Sequence, residues 1–242
     1  MFIPYIYGKK RTKRSLSGPM FEVRVWAQGD QAQMTEKYEI IMDTCLALSD
    51  EGGEASQQMI RKHYSFDPQA KPRLVPKEKA APMDRKVEAS DFWNEDQPSM
   101  MRVFARDGFM NRFTGELLIF PAVLRLLSKE FPSIMPYQMA WRVGEIHIAY
   151  YDLYACIDRL LPRSRGGTDA ESNLITTTMP YVLARSNSTV EEMGWRLTRE
   201  GFVDEWDGMS SWYVEYVDAN QDLRKTNYFN LWYIAAKKVL EL

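Results

Sequence analysis

The run "IDRLLPRSRGGTDAESNLITTTMPYVLARSN", Ile157 to Asn187, limits what this chain can fold into more than any other part of it. "YACIDRLLP" (Tyr154 to Pro162) reads as a strand closed by proline, which has no N–H to continue a ladder. "RSRGGTD" (Arg163 to Asp169) is a loop, with Gly166 and Gly167 able to take positive φ. "ESNLITTTM" (Glu171 to Met179) returns as a second strand. "YVLARSN" (Tyr181 to Asn187) follows Pro180 and reads as the start of a helix with proline near its first turn. Strand, loop, strand and helix make a ββα unit.

The remainder of the chain divides by composition into three regions. Residues 1–65 read as a small N-terminal α/β unit. In it "FEVRVWA" (Phe21 to Ala27) alternates as a half-buried strand does, and "MTEKYEIIMDTCLAL" (Met34 to Leu48) has helical spacing up to "EGG". "EASQQMIRKHY" (Glu54 to Tyr64) reads as a second short helix. The unit is small for a core of its own, so it is expected to pack on something. Residues 66–92 carry Pro68, Pro72, Pro76 and Pro82 among many charges, and read as an extended linker. Residues 93–242 are richer in aromatics and are expected to form the main domain.

Composition excludes several classes. The 242 residues are 45% hydrophobic and 13% aromatic, enough for a substantial core. A net charge of −2 argues against a globally basic nucleic-acid binder, though not against a local basic site. "KKRTKR" (Lys9 to Arg14) reads first as a solvated tail, with phosphate contact as the alternative. Cys45 and Cys156 lie far apart, so no CxxC zinc knuckle is present. Two free thiols and fourteen methionines suit a reducing cytoplasm. "MFIPYIYGKKRTKR" lacks the order of a secretory signal, and no stretch approaches the roughly 20 apolar residues of a membrane span.

The motifs together resemble the HNH endonuclease family, the ββα-metal fold, and within it a bacterial group. The resemblance rests on "RDGFMNRFTG" (Arg106 to Gly115), "FPAVLRLLS" (Phe120 to Ser128), "HIAYYDLYACID" (His147 to Asp158), "RGGTDAESN" (Arg165 to Asn173) and "EEMGW" (Glu191 to Trp195). It covers roughly residues 104–216. It implies an α+β protein, an HNH-like domain wrapped by helices, and metal-dependent phosphodiester cleavage. Such chemistry needs a base for the attacking water and a divalent ion, usually Mg²⁺, on the phosphate.

Carried over residue by residue, the resemblance puts Asp158 at the metal-binding aspartate and Asn173 at the asparagine that braces the hairpin. It puts Arg159 at the general-base position and Val182 at the second metal ligand. Arginine stays protonated and cannot accept a proton from water. Valine has no lone pair for a metal. Losing a base alone typically costs about 10²- to 10⁴-fold. No histidine follows Asp158, which leaves His147 as a weak substitute that reads first as a structural histidine. Glu145 reads as an exposed acid.

The expected function is therefore that of an impaired HNH relative, regulatory or binding nucleic acid, with DNA the expected form. Arg159, Arg163, Arg165 and Arg185 would grip phosphate. The same arginines also read as surface charges paired with Asp169 and Glu171. One alternative is an active DNA endonuclease, with Asp158 holding Mg²⁺ or another divalent metal. Another is a protein-interaction module that uses the N-terminal unit or the acidic region "EWDGMSSWYVEYVDANQDL". The aromatics Trp195, Trp206, Trp212, Tyr213, Tyr216, Trp232 and Tyr233 read as core before base-stacking surface.

Overall fold

The computed structural model describes residues 28–73, 75 and 96–242. The strand reading of Phe21 to Ala27, the basic run Lys9 to Arg14 and most of the linker lie outside the described residues. The architecture is α+β: eight α-helices and one two-stranded sheet among the described residues. No helix there is long and apolar enough to cross a membrane.

The first helix, α1 (Gln28–Asp50), turns at Gly52 (φ 93°) into α2 (Gly53–His63). Gly52 can hold that left-handed conformation because it has no Cβ. Ile41, Cys45, Leu48 and Ile60 fill the seam between them, and the Ser56 hydroxyl donates to Thr44 O at 2.9 Å.

Helix α3 (Gln97–Arg106) is capped by Asp96, whose carboxylate accepts from Ser99 N at 2.7 Å. Helix α4 (Pro121–Glu130) begins on proline, whose missing N–H costs nothing in a first turn. A single turn, α5 (Ala149–Asp152), leads into strand β1 (Cys156–Arg159). Strand β2 (Leu174–Thr177) returns antiparallel, with Asp158 opposite Ile175 and Arg159 opposite Leu174. Helix α6 (Met179–Arg185) follows with Pro180 in its first turn. Helices α7 (Ser210–Ala219) and α8 (Asn227–Val239) close the chain.

Both strands are shorter than the sequence suggests. Residues 171–173, read as the start of the second strand, coil into a 3-10 turn instead of extending the ladder, and 163–165 form another within the loop. Of the paired glycines only Gly166 takes positive φ, at 86°. Gly167 serves close approach instead: a Cβ there would lie 1.7 Å from Leu161 O.

One hydrophobic cluster runs through the described residues. Phe120 sits in it, in edge contact with Phe109, Tyr213 and Trp232. Trp206, Trp212, Tyr213, Trp232 and Tyr233 are buried in it or against it, so these aromatics are core. The helical part of the N-terminal unit joins the same cluster through Ile41, Cys45, Leu48, Ile60 and Tyr64. Polar contacts add to the seam. The Lys37 ammonium and the Tyr64 hydroxyl both reach Asp152, at 2.6 and 2.9 Å, and Trp212 Nε1 donates to Ser49 Oγ at 2.9 Å.

The hairpin is anchored to α3 from below. Asp107, fully buried, accepts from Thr176 N in the middle of β2 at 2.7 Å and from Arg112 Nη1 at 2.7 Å. Arg106 clasps the same carboxylate and donates to Glu171 O and Leu174 O, each at 2.7 Å. Gly108 (φ 62°) lets the next turn pass residue 201; a Cβ there would lie 2.5 Å from Gly201 C. The "RDGFMNRFTG" stretch thus holds β2 in place.

Candidate functional site

A strand sends alternate side chains to opposite faces. In β1 this buries Cys156 and Asp158 and leaves Ile157 and Arg159 half-buried. Asp158 consequently points inward, toward α6, and there it meets Arg185.

That contact is the centre of the site. Arg185 sits in the last turn of α6 with its side chain 1% exposed. Its Nε donates to Asp158 Oδ2 at 2.7 Å and its Nη2 to Asp158 Oδ1. The Nη2 also donates to Arg159 O, and the Nη1 to Leu160 O at 3.3 Å and Ser188 O at 2.7 Å. An arginine has five N–H donors. All five are used here, on a carboxylate and three backbone carbonyls. Burial pushes the Asp158 carboxyl above its ordinary pKa, and the Arg185 fork and the Arg159 N–H (2.8 Å) oppose that rise. Arg185 is therefore no surface cation. Its sequence reading as a phosphate contact is corrected: a guanidinium this enclosed and fully bonded has no donor to offer.

Val182 lies on α6 one turn before Arg185, and is itself buried. Residues three apart share a helix face. The helix thus does present a side chain to Asp158, but it is a cation one turn further on.

Magnesium requires oxygen ligands in near-octahedral array. Both Asp158 oxygens already carry guanidinium N–H groups, Val182 offers no lone pair, and a second positive charge beside Arg185 would be repelled. No group of three or more His, Cys, Asp or Glu side chains suited to a metal occurs among the described residues. The residues present do not fit the ion.

His147 is not placed to take a proton from water. It is fully buried beneath α2, its ring packed against Tyr64. Its Nδ1 accepts from Ala149 N at 3.1 Å, so Nε2 carries the proton and donates to Tyr64 O at 2.8 Å. Neither nitrogen has a free lone pair for water. Burial lowers its pKa, keeping it neutral. Glu145 is exposed and faces Arg142 at 3.6 Å.

Asn173 spans the hairpin loop. Its Oδ1 accepts from Leu161 N at 2.8 Å, and its Nδ2 donates to Leu161 O at 3.0 Å and Thr168 O at 2.7 Å. The outer arginines are brought together on the solvent side of the same loop, each facing an acid. Arg159 Nε lies 2.8 Å from Asp169 Oδ1, Arg163 binds both oxygens of Asp169, and Arg165 Nη1 lies 2.6 Å from Glu192. Glu171 pairs with Arg102 instead. Arg163, followed by Arg159, holds the Asp169 carboxyl below the usual range.

Beside this loop runs an open groove of about 560 Å³, lined by Leu160, Leu161, Asn173, Val190, Trp195 and Leu197 among others. Trp195 is backed by Phe113 and Tyr181, with ring centres 4.9 and 5.5 Å away.

Sequence reasoning missed the role of Arg185 and the anchoring by Arg106, Asp107 and Arg112. Spacing places Arg185 one helical turn after Val182, but does not say which way its side chain faces.

Compared with protein-family models, curated proteins and solved structures, the chain gives no match.

Proposed function

We propose that residues 156–185 are an HNH-type ββα hairpin in which an internal guanidinium has taken the place of the metal ion, and that the chain binds nucleic acid without cutting it. The single observation that carries this reading is the bidentate Arg185–Asp158 pair, with all five guanidinium donors bonded. A fixed positive charge satisfies the buried carboxylate as a metal would, but it exchanges no ligand and activates no water. Arg159 at the base position adds a second reason, since it accepts no proton. Binding is supported by Arg159, Arg163 and Arg165, three cations along one loop edge.

A protein-interaction module is the second reading, because each of those cations already faces an acid. The test is incubation of the full chain with supercoiled plasmid, with and without Mg²⁺ and Mn²⁺, beside Asp158→Asn. In parallel, binding to a labelled DNA duplex is followed from 25 to 300 mM KCl. The reading expects no nicking, and affinity that falls linearly in log–log with salt. Nicking abolished by Asp158→Asn would overturn it. Absence of any duplex binding at 25 mM KCl would favour the protein module.

A further inference from the structure

Two guanidinium groups from different parts of the hairpin converge on one carboxylate oxygen. Asp169 Oδ1 lies 2.8 Å from Arg159 Nε and 3.2 Å from Arg163 Nε, and Asp169 Oδ2 is bound by Arg163 Nη2. An oxyanion held by two arginines, one of them through a two-toothed fork, is an arrangement in which proteins also bind phosphate. The Asp169 side chain is 39% exposed, that of Arg163 29% and that of Arg159 only 12%. The carboxylate therefore sits at the solvent side of a mostly enclosed pair of cations.

The backbone around Asp169 is fixed independently of its side chain. Gly167 N donates to Pro162 O at 3.0 Å, and Asn173 Nδ2 holds Thr168 O at 2.7 Å. Downstream, Asn173 N donates to Ala170 O at 2.8 Å. Rotation of the Asp169 side chain would thus open the guanidinium N–H groups it now occupies, Arg159 Nε and Arg163 Nε and Nη2, without refolding the loop.

We propose that Arg159 and Arg163 form a binding site for a backbone phosphate of nucleic acid, and that Asp169 is its built-in competitor, occupying the site until a phosphodiester displaces it. The inference rests on the nucleic-acid reading above and specifies where the phosphate goes and what restrains it. The competitor lowers affinity for isolated phosphates and favours ligands with several phosphates in register, since displacing one carboxylate must be offset by further contacts.

The experiment compares wild type, Asp169→Asn, Asp169→Asn with Arg163→Gln, and Glu171→Gln in binding to a labelled DNA duplex across 25–300 mM KCl. Glu171→Gln makes the same charge change on the same loop, but the carboxylate it removes faces Arg102 rather than Arg159 and Arg163. Urea unfolding checks that each variant is folded, and Asp169→Ser stands in if the asparagine variant is not. The expected result is affinity raised about tenfold or more by Asp169→Asn at 100 mM KCl. The log–log salt slope should steepen by about 0.9 for each phosphate newly engaged. The gain should vanish when Arg163→Gln is added and be absent in Glu171→Gln. Wild type that binds duplex, with Asp169→Asn binding no tighter than Glu171→Gln, would overturn the competitor and leave the nucleic-acid reading standing. No binding by any variant at 25 mM KCl would overturn both.

Discussion

At the scale of single residues, the Arg185–Asp158 pair decides the character of the site. Both partners are taken out of water, which costs several kcal/mol per ion unless the geometry and the remaining hydrogen bonds compensate. Here every guanidinium donor is bonded and each carboxylate oxygen accepts from Arg185. Removing one partner strands the other. Arg185→Met should lower the unfolding free energy by about 3–5 kcal/mol, and Arg185→Met with Asp158→Leu should lose distinctly less, because no buried charge is left unpaired. Urea unfolding measures both; a loss below about 1 kcal/mol for Arg185→Met would mean the pair is not buried as described. Asp158 and Asn173 stand out in the sequence because they fall within the stretches that carry the resemblance. Arg185 is not, because its role depends on which way the last turn of a seven-residue helix faces. That direction is set by packing, and a motif reading ends before it.

Among elements, the hairpin loop shows what spacing conveys and what it hides. "RGG" signals a turn, and a turn is present, but the two glycines do different jobs. Gly166 takes the left-handed conformation; Gly167 makes room for Leu161 O. Only the first job can be read from a local rule. Gly167→Ala should displace the loop from Asn173 and cost about 1–3 kcal/mol through overpacking, whereas Gly166→Ala, with open space around it, should cost about 1 kcal/mol for the conformation alone. Equal losses in urea unfolding would contradict the close-approach role. The strands are shorter than their apolar patterning suggests because Asn173 bonds Leu161 and Thr168 across the loop and Arg106 bonds the carbonyls of Glu171 and Leu174. These tertiary hydrogen bonds outcompete ladder extension. Helix α2, and α1 at its C-terminal end, were legible almost to the residue, since apolar spacing and the glycine turn are local; α1 begins at Gln28, six residues before the spacing that starts at Met34.

On the scale of the whole molecule, the composition boundary near residue 66 does not coincide with a boundary of the core. Residues 37–64 join the same apolar cluster as α4, α5 and α7. They are fastened by a clasp of Lys37, Tyr64, Asp152 and His147. Such contacts lie 83–115 residues apart along the chain, beyond the reach of patterning. The clasp also carries a pH dependence. Burial lowers the folded pKa of His147, with Lys37 acting in the same direction and the Tyr64 carbonyl and Asp152 opposing. As pH falls the unfolded chain therefore takes up this proton first. The contribution of His147 to stability is complete above its unfolded pKa of about 6.5. It is lost as pH falls from there through the lowered value. Unfolding free energy should decline between about pH 7 and 5 in wild type, and more shallowly in His147→Gln. Identical slopes would show that the clasp histidine is not held neutral.

The most direct test of the account is whether Asp158 binds a divalent metal. Mn²⁺ uptake by the purified chain is measured by titration calorimetry, for wild type and Asp158→Asn under the same conditions. With both Asp158 oxygens bonded to Arg185, the two proteins should give the same trace, with no uptake that depends on Asp158. One Mn²⁺ bound per wild-type chain, and lost in Asp158→Asn, would contradict the account and restore the site as a metal centre.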